Sequence, residues 1–322
     1  MITLVTGANG FVGTRVVRCA VEHGLVVRGS DRQPAGVVPD VEYIPADILA
    51  PESLAPAVAG VGCVIHVAGL AHVFDRRQAA AAPFHAVNAL GTEHVARAAA
   101  RAGVRHFVLV SSVSVYGPHA DGILNETAAC APDEPYAISK HEAESRAVAV
   151  ARDVGMAVTV LRMATIYGEG DPGNVARLIR TIDRGRFIWV GVGRNRKSLL
   201  HRDDAARACV IAAGAEAVDV RVFNVSAPVT TMREVVEVIA GALERPLPRI
   251  AVPAGLARVA GRAVGATPGL RSRLANIDRT LDKWLRDDAY DASRIEAALG
   301  FRAEVTLEAG IGREVRWYRQ SR

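Results

Sequence analysis

The chain has 322 residues, half of them hydrophobic, enough for one large core and a smaller appendage. Its net charge of +5 and isoelectric point near 9.3 come from arginines spread along the whole sequence, with no basic tail or run, so no nucleic-acid partner is expected. No repeat and no apolar run long enough to cross a bilayer is present, so the sequence reads as soluble, cytoplasmic and free of membrane.

Short β-branched runs alternate with longer segments of helical period up to about residue 165, the pattern of an α/β fold built on a doubly wound parallel sheet. Strands are expected at Ile2 to Thr6, Leu25 to Ser30, Val41 to Ile44, Cys63 to Val67, His106 to Ser111 and Ala157 to Arg162. The first helix places Val12, Val16, Cys19 and Ala20 on one face and ends at Gly24; another starts at about Phe84 and stops at Gly103. After Gly168 the rhythm changes. Gly170, Pro172 and Gly173 form a loop, a helix follows through Val175, Leu178, Ile179 and Ile182, and Phe187 to Val190 is a short strand. Arg221 to Val225 returns to the sheet, Thr231-Met-Arg-Glu234 is a capping box, and Pro246 to Pro253 reads as a linker. The expected division is a domain of residues 1–167, joined by about 196–228, and a smaller α/β substrate domain of 168–195 and 229–322. Cys19, Cys63, Cys130 and Cys209 stand alone, without metal-ligand spacing, so they read as free thiols and no metal site is expected.

Gly7, Gly10 and Gly13, with Asn9, Phe11 and Val12 between them, lie between a buried strand and an amphipathic helix, a variant of the dinucleotide fingerprint of Rossmann folds. Gly7 permits the turn, Gly10 admits a pyrophosphate to the backbone amides at the positive helix end, and Gly13 lets the helix pack closely. The second strand ends in Ser30-Asp31, about 20 residues on, where a carboxylate accepts from ribose hydroxyls. Asp31 repels a 2'-phosphate and favours NAD, whereas Arg32 beside it attracts one, so NADP stays open.

Tyr136 and Lys140 are spaced i, i+4 at the start of a helix, with both side chains on one face. A phenol titrates near 10, and a neighbouring ammonium favours its phenolate, which can then exchange a proton with a substrate hydroxyl. The fifth strand ends in Ser111-Ser112-Val113-Ser114-Val115-Tyr116-Gly117, which brings hydroxyls to the sheet edge where such folds bind ligands.

The run from Thr6 to Gly13, the run from Ser111 to Gly117 and the Tyr136/Lys140 pair resemble the extended short-chain dehydrogenase/reductase family, in particular its nucleotide-sugar epimerase and reductase branch. Asp47-Ile48 is similar to the family's adenine-contacting pair, and His66-Val67-Ala68-Gly69 to its fourth-strand loop beside the cofactor; Asn88, Leu161-Arg162 and Ile166-Tyr167-Gly168 fall in register. The resemblance implies that Ser112 orients the sugar oxygen, Tyr136 is the acid/base, Lys140 binds the ribose and lowers the phenol's pKa, and Asn88 supports them. It implies a homodimer formed through the helices that carry Asn88 and Tyr136. The branch's sugar 4,6-dehydratases and decarboxylases have carboxylates directly after the catalytic hydroxyl. Val113 and Ser114 stand there instead, which disfavours elimination and decarboxylation. No Cys for inversion at other carbons is evident in the loops.

The segment Gly191 to Asp204 resembles the family stretch that ends in His-Val-x-Asp and carries an arginine for the substrate diphosphate. Register from His201 gives Lys197, with Arg196 or Arg194 sharing the role. His201 and Asp204 read as braces for this loop. Asn174 resembles the residue that opens the nucleotide-binding helix; Ser114, Tyr116, His72 and His119 are placed to edge the pocket. The leading expectation is an NAD(P)-dependent nucleotide-sugar epimerase, at C4 of a UDP-hexose. The alternative is a 4-ketoreductase, or an oxidoreductase of a non-sugar alcohol, consuming external cofactor. A catalytically idle NAD sensor fits poorly with intact Ser112, Tyr136 and Lys140.

Overall fold

The computed structural model describes residues 1–33, 36–71, 81–118, 122–216, 218–248, 250–253, 255–256 and 285–321; His72 and His119 lie outside them. In chain order the strands are β1 (Ile2–Thr6), β2 (Val26–Ser30), β3 (Glu42–Tyr43), β4 (Val61–His66), β5 (His106–Ser112), β6 (Ala157–Met163), β7 (Thr165–Tyr167), β8 (Trp189–Val190), β9 (Arg196–Lys197), β10 (Leu199–His201), β11 (Val220–Val225), β12 (Thr230–Thr231) and β13 (Ala251–Val252). The helices are α1 (Gly13–Glu22), α2 (Leu54–Val58), α3 (Ala81–Phe84), α4 (Gly91–Arg101), α5 (Pro135–Val154), α6 (Asn174–Asp183), α7 (Arg202–Gly214), α8 (Met232–Leu243), α9 (Ser293–Leu299) and α10 (Leu307–Gln320). No helix among the described residues is long and apolar enough to cross a membrane.

The main sheet has the strand order β11-β6-β5-β4-β1-β2-β3, and its strands pair in parallel throughout. Its central strands are near-continuous apolar runs because helices cover both faces; every residue of β6 is buried. One face packs on α1 and α7 through Val16, Cys19, Ala205 and Cys209; the other packs on α2, α4 and α5 through Leu54, Val95, Ala99 and Ala147. Winding reverses between β1 and β4, so a crevice opens at their carboxyl ends, the place where such sheets bind ligands. The strands expected from sequence are all present, with ends shifted by a residue or two.

A separate core joins Val175, Ile179 and Ile182 of α6, Trp189, Val236 and Ile239 of α8, and Ile311 and Val315 of α10. Ile295 and Phe301 leave this part of the chain and pack in the core beneath α1 and α7. The stretch read as a linker holds β13, which pairs in parallel with β8 and so builds the same lobe. Between α3 and α4, residues His85–Leu90 form a π-helical turn, a device that displaces side chains and recurs at functional sites; Asn88 lies within it.

Candidate active site

The glycine loop is shaped by contacts that no Cβ would permit. Gly7 has φ +67°, and a Cβ there would lie 2.7 Å from the Ala68 backbone, so the loops after β1 and β4 touch. A Cβ on Gly13 would lie 1.9 Å from the Gly7 carbonyl oxygen, whereas one on exposed Gly10 would meet only that oxygen, at 3.2 Å. No side chain caps the N-terminus of α1 and no acidic residue lies in its first turn. The positive helix end is thus left to an anion from outside, beside the loop of Asn9, Phe11 and Val12. Asp31, at the end of β2, accepts from the amides of Asn9 at 3.2 Å and Arg32 at 2.8 Å, and the Arg32 side chain is exposed. Asp47 and Ile48 begin the turn before α2, where the Asp47 carboxylate accepts from the Leu49 amide. Together these features fit a dinucleotide.

The loop Val67-Ala68-Gly69 follows β4 and is held from two sides. The Ala68 amide donates to Thr6 Oγ1 at 3.3 Å; Asn88 accepts from the Leu70 amide at 2.7 Å, and its Nδ2 donates to the Leu70 carbonyl and to Ser139 Oγ, each at 2.9 Å. A Cβ on Gly69 would lie 3.1 Å from Asn88 Oδ1 and 4.0 Å from Lys140 Nζ, which brings the β4 loop beside the α5 pair. His66 is buried between Thr6 and Thr92, and burial pushes it down to about 3, so it stays neutral.

Ser112 ends β5 and its Oγ accepts from the Ser114 amide at 3.2 Å, which caps the turn Val113–Tyr116. Tyr136, whose ring lies edge-on to Phe84, has its phenol pushed up by burial, against a smaller lowering effect of the Ser112 hydroxyl. Lys140 donates to the Val110 carbonyl at 2.6 Å, and burial pushes its ammonium down to about 8 against the pull of Glu144. The expected lowering of the phenol by Lys140 is therefore not the governing effect here; desolvation is. The Ser114 hydroxyl is buried without a protein partner.

Tyr116 does not edge a pocket: it is 2% exposed, stacks on Tyr290, donates to Asn224 Oδ1 at 2.8 Å and accepts from Arg162 at 3.1 Å. Arg196 forms a two-pronged ion pair with Asp287, and Lys197 donates to the Arg286 carbonyl at 3.1 Å; both tie β9 to the segment before α9. Asn174 is exposed at the first turn of α6, whose start is capped instead by Asp171, accepting from Gly173 and Ala176. His201 caps α7 through the Asp203 amide and Asp204 accepts from the amides of Glu304 and Val305, so both brace the structure as read. Cys130 does stand in a loop near the site, packed against the cluster of Val113, Val115 and Tyr116, with its thiol pushed up by burial. Cys19, Cys63 and Cys209 are free and buried.

Sequence reasoning missed the polar layer beneath the site. Glu144 pairs with Arg162 through both oxygens, at 2.7 and 3.1 Å, and accepts from Ser111 Oγ at 2.5 Å. Its signal was the i, i+4 spacing from Lys140 along one face of α5.

The family model described as NAD dependent epimerase/dehydratase family matches residues 3–226. UDP-glucose 4-epimerase of Vibrio cholerae is 28% identical over 320 residues, spanning 96% of this chain and 92% of that protein. A dTDP-glucose 4,6-dehydratase of Streptomyces niveus is 28% identical over 343 residues, spanning 100% of this chain and 94% of that protein. Among solved structures, MoeE5 in complex with UDP-glucuronic acid and NAD matches with a TM-score of 0.78 at 27% identity, each chain covered in full at 100%. The chain belongs to the NAD dependent epimerase/dehydratase family.

Proposed function

We propose that the protein is a UDP-hexose 4-epimerase working by transient oxidation and re-reduction at C4. The observation that carries this reading is the Ser112 hydroxyl acting on the Tyr136 phenol, with Lys140 on the same helix, and Val113 and Ser114 directly after Ser112. Such a site can take a proton from a hydroxyl and return it, but it offers no carboxylic acid next to Ser112 to expel water. The UDP-glucose 4-epimerase likeness and the UDP-sugar and NAD named with MoeE5 support the same substrate class. NAD, when bound, supplies the hydride acceptor and donor; Asp31 favours it over NADP.

In this reading Tyr136 receives the C4 hydroxyl proton and Ser112 orients the oxygen. Lys140 holds the ribose, Asn174 and Ser114 meet the substrate, and Lys197 and Arg196 lend positive charge near the diphosphate. The division into residues 1–167 with about 196–228, against 168–195 with 229–322, belongs to this reading, with 293–301 docking back on the first part. So do a homodimer through the helices of Asn88 and Tyr136 and a cytoplasmic location.

The test is incubation with UDP-galactose and with its N-acetyl analogue, without added cofactor, followed by chromatography of the products. Interconversion with the 4-epimer is expected, and Tyr136→Phe should reduce it by at least about a thousandfold while NAD stays bound. Turnover that requires stoichiometric NADPH would replace this reading with a ketoreductase.

A further inference from the structure

The segment resembling His-Val-x-Asp reads His201-Arg202-Asp203-Asp204 here, so an arginine stands at the valine position. Arg202 opens α7 with its guanidinium carbon 4.9 Å from the centroid of the Phe11 ring, over the glycine loop. Its Nη1 donates to the Glu169 carbonyl, in the loop that runs from β7 to Asn174. Gly168 makes room for the stem, since a Cβ there would meet Arg202 Cγ at 2.8 Å and Cδ at 2.9 Å. Around this contact Arg15 of α1 binds Asp203 at 2.7 Å, and Arg313 of α10 binds Asp203 at 2.8 Å and Glu169 at 2.6 Å. The cofactor loop, the first turn of α7, the 168–173 loop and the last helix are thus tied into one polar cluster. Arg202 Nε is buried without a protein acceptor, although fixed structural arginines are normally satisfied.

We infer that Arg202 is a positioning residue that latches Phe11 to the 168–173 loop, so that occupation of the substrate lobe slows release of the dinucleotide. A flat guanidinium can stack on a ring and donate to a carbonyl at once, which a lysine ammonium does not do equally well. An enzyme that must reuse one NAD within each turnover gains from such coupling, and the inference rests on the epimerase reading given above.

The experiment measures release of NAD from purified protein by dilution into a trap, with and without saturating UDP, alongside the NAD content after gel filtration. In the wild type UDP should slow release. In Arg202→Met, release should be on the order of tenfold faster and UDP should no longer matter, with Arg202→Lys in between. Phe11→Leu should have the same effect, and the double variant should be no worse than either single one. Phe11→Leu also serves if Arg202→Met fails to fold. Additive effects, or unchanged release with UDP still protective, would overturn the latch while leaving the epimerase reading intact. A wild type that carries no NAD, and whose melting temperature NAD does not raise, would overturn both.

Discussion

Asn88 donates from Nδ2 to Ser139 Oγ at 2.9 Å, and with its remaining groups it holds both the amide and the carbonyl of Leu70. A π-helical turn therefore fastens the loop after β4, where the resemblance places the cofactor, to the helix of Tyr136 and Lys140. Asn88 is itself 1% exposed, and Asn88→Ala would remove the partner of the half-buried Leu70 amide and carbonyl and of Ser139 Oγ. A loss of about 1–3 kcal/mol in urea unfolding is expected. The kcat should fall with little change in the KM for the sugar nucleotide, because Asn88 is buried and ties the loop after β4 to the helix of Tyr136 and Lys140. A rise in KM alone would contradict this role.

Lys140 shows the site working against stability. An unfolded lysine keeps its proton to about 10.5, and the buried Lys140 loses it near 8. Below pH 8 both states are charged and the folded chain bears the whole desolvation penalty. Between 8 and 10.5 the folded state sheds its proton first, so the penalty shrinks as pH rises. Lys140→Met should therefore be more stable than wild type by about 1–2 kcal/mol at pH 7, after losing the bond to the Val110 carbonyl. Denaturation from pH 7 to 10 should show the advantage narrowing, while turnover is lost at every pH.

Much of this was legible because it depends on local rules. Gly7, Gly10 and Gly13 declare the loop through the space they leave, and apolar runs such as Val158 to Leu161 declare central strands. The pairings of Tyr116 and Arg196 were not legible, for the opposite reason. Each lies in a motif near the site, but its partners, Asn224 and Asp287, stand far off in sequence and meet it only after folding. Spacing reports which residues share a face; it does not report which distant group arrives to occupy a hydroxyl or a guanidinium.

The Glu144 and Arg162 pair tests that polar layer. Both side chains are almost fully buried, and Arg162 also donates to Tyr116. Arg162→Met would leave a carboxylate in the interior without its cation, and a loss of about 3–5 kcal/mol is expected by chemical denaturation at low temperature. Adding Glu144→Gln to that variant removes the orphaned charge and should restore at least half of the loss. If the double variant proves no better than the single one, packing of the Arg162 stem rather than charge pairing governs this layer.

Glu314 of α10 is 1% exposed, and its carboxyl oxygens lack side-chain partners. Burial, reinforced by Asp171 and Glu169 and opposed by the Gly168 amide and Arg180, pushes it up to about 9 from 4.5. At neutral pH the folded protein therefore holds a proton there that the unfolded chain gives up. The linkage sets the sign: the contribution to stability is complete below 4.5 and drains away as pH rises toward 9. Glu314→Gln keeps the shape and never ionises, so it should match wild type near pH 5 and exceed it by about 1–3 kcal/mol at pH 8. Urea midpoints at those two pH values decide it. An offset that is the same at both would mean that the carboxyl does not titrate on unfolding, and that the amide acts through packing against the 168–171 loop.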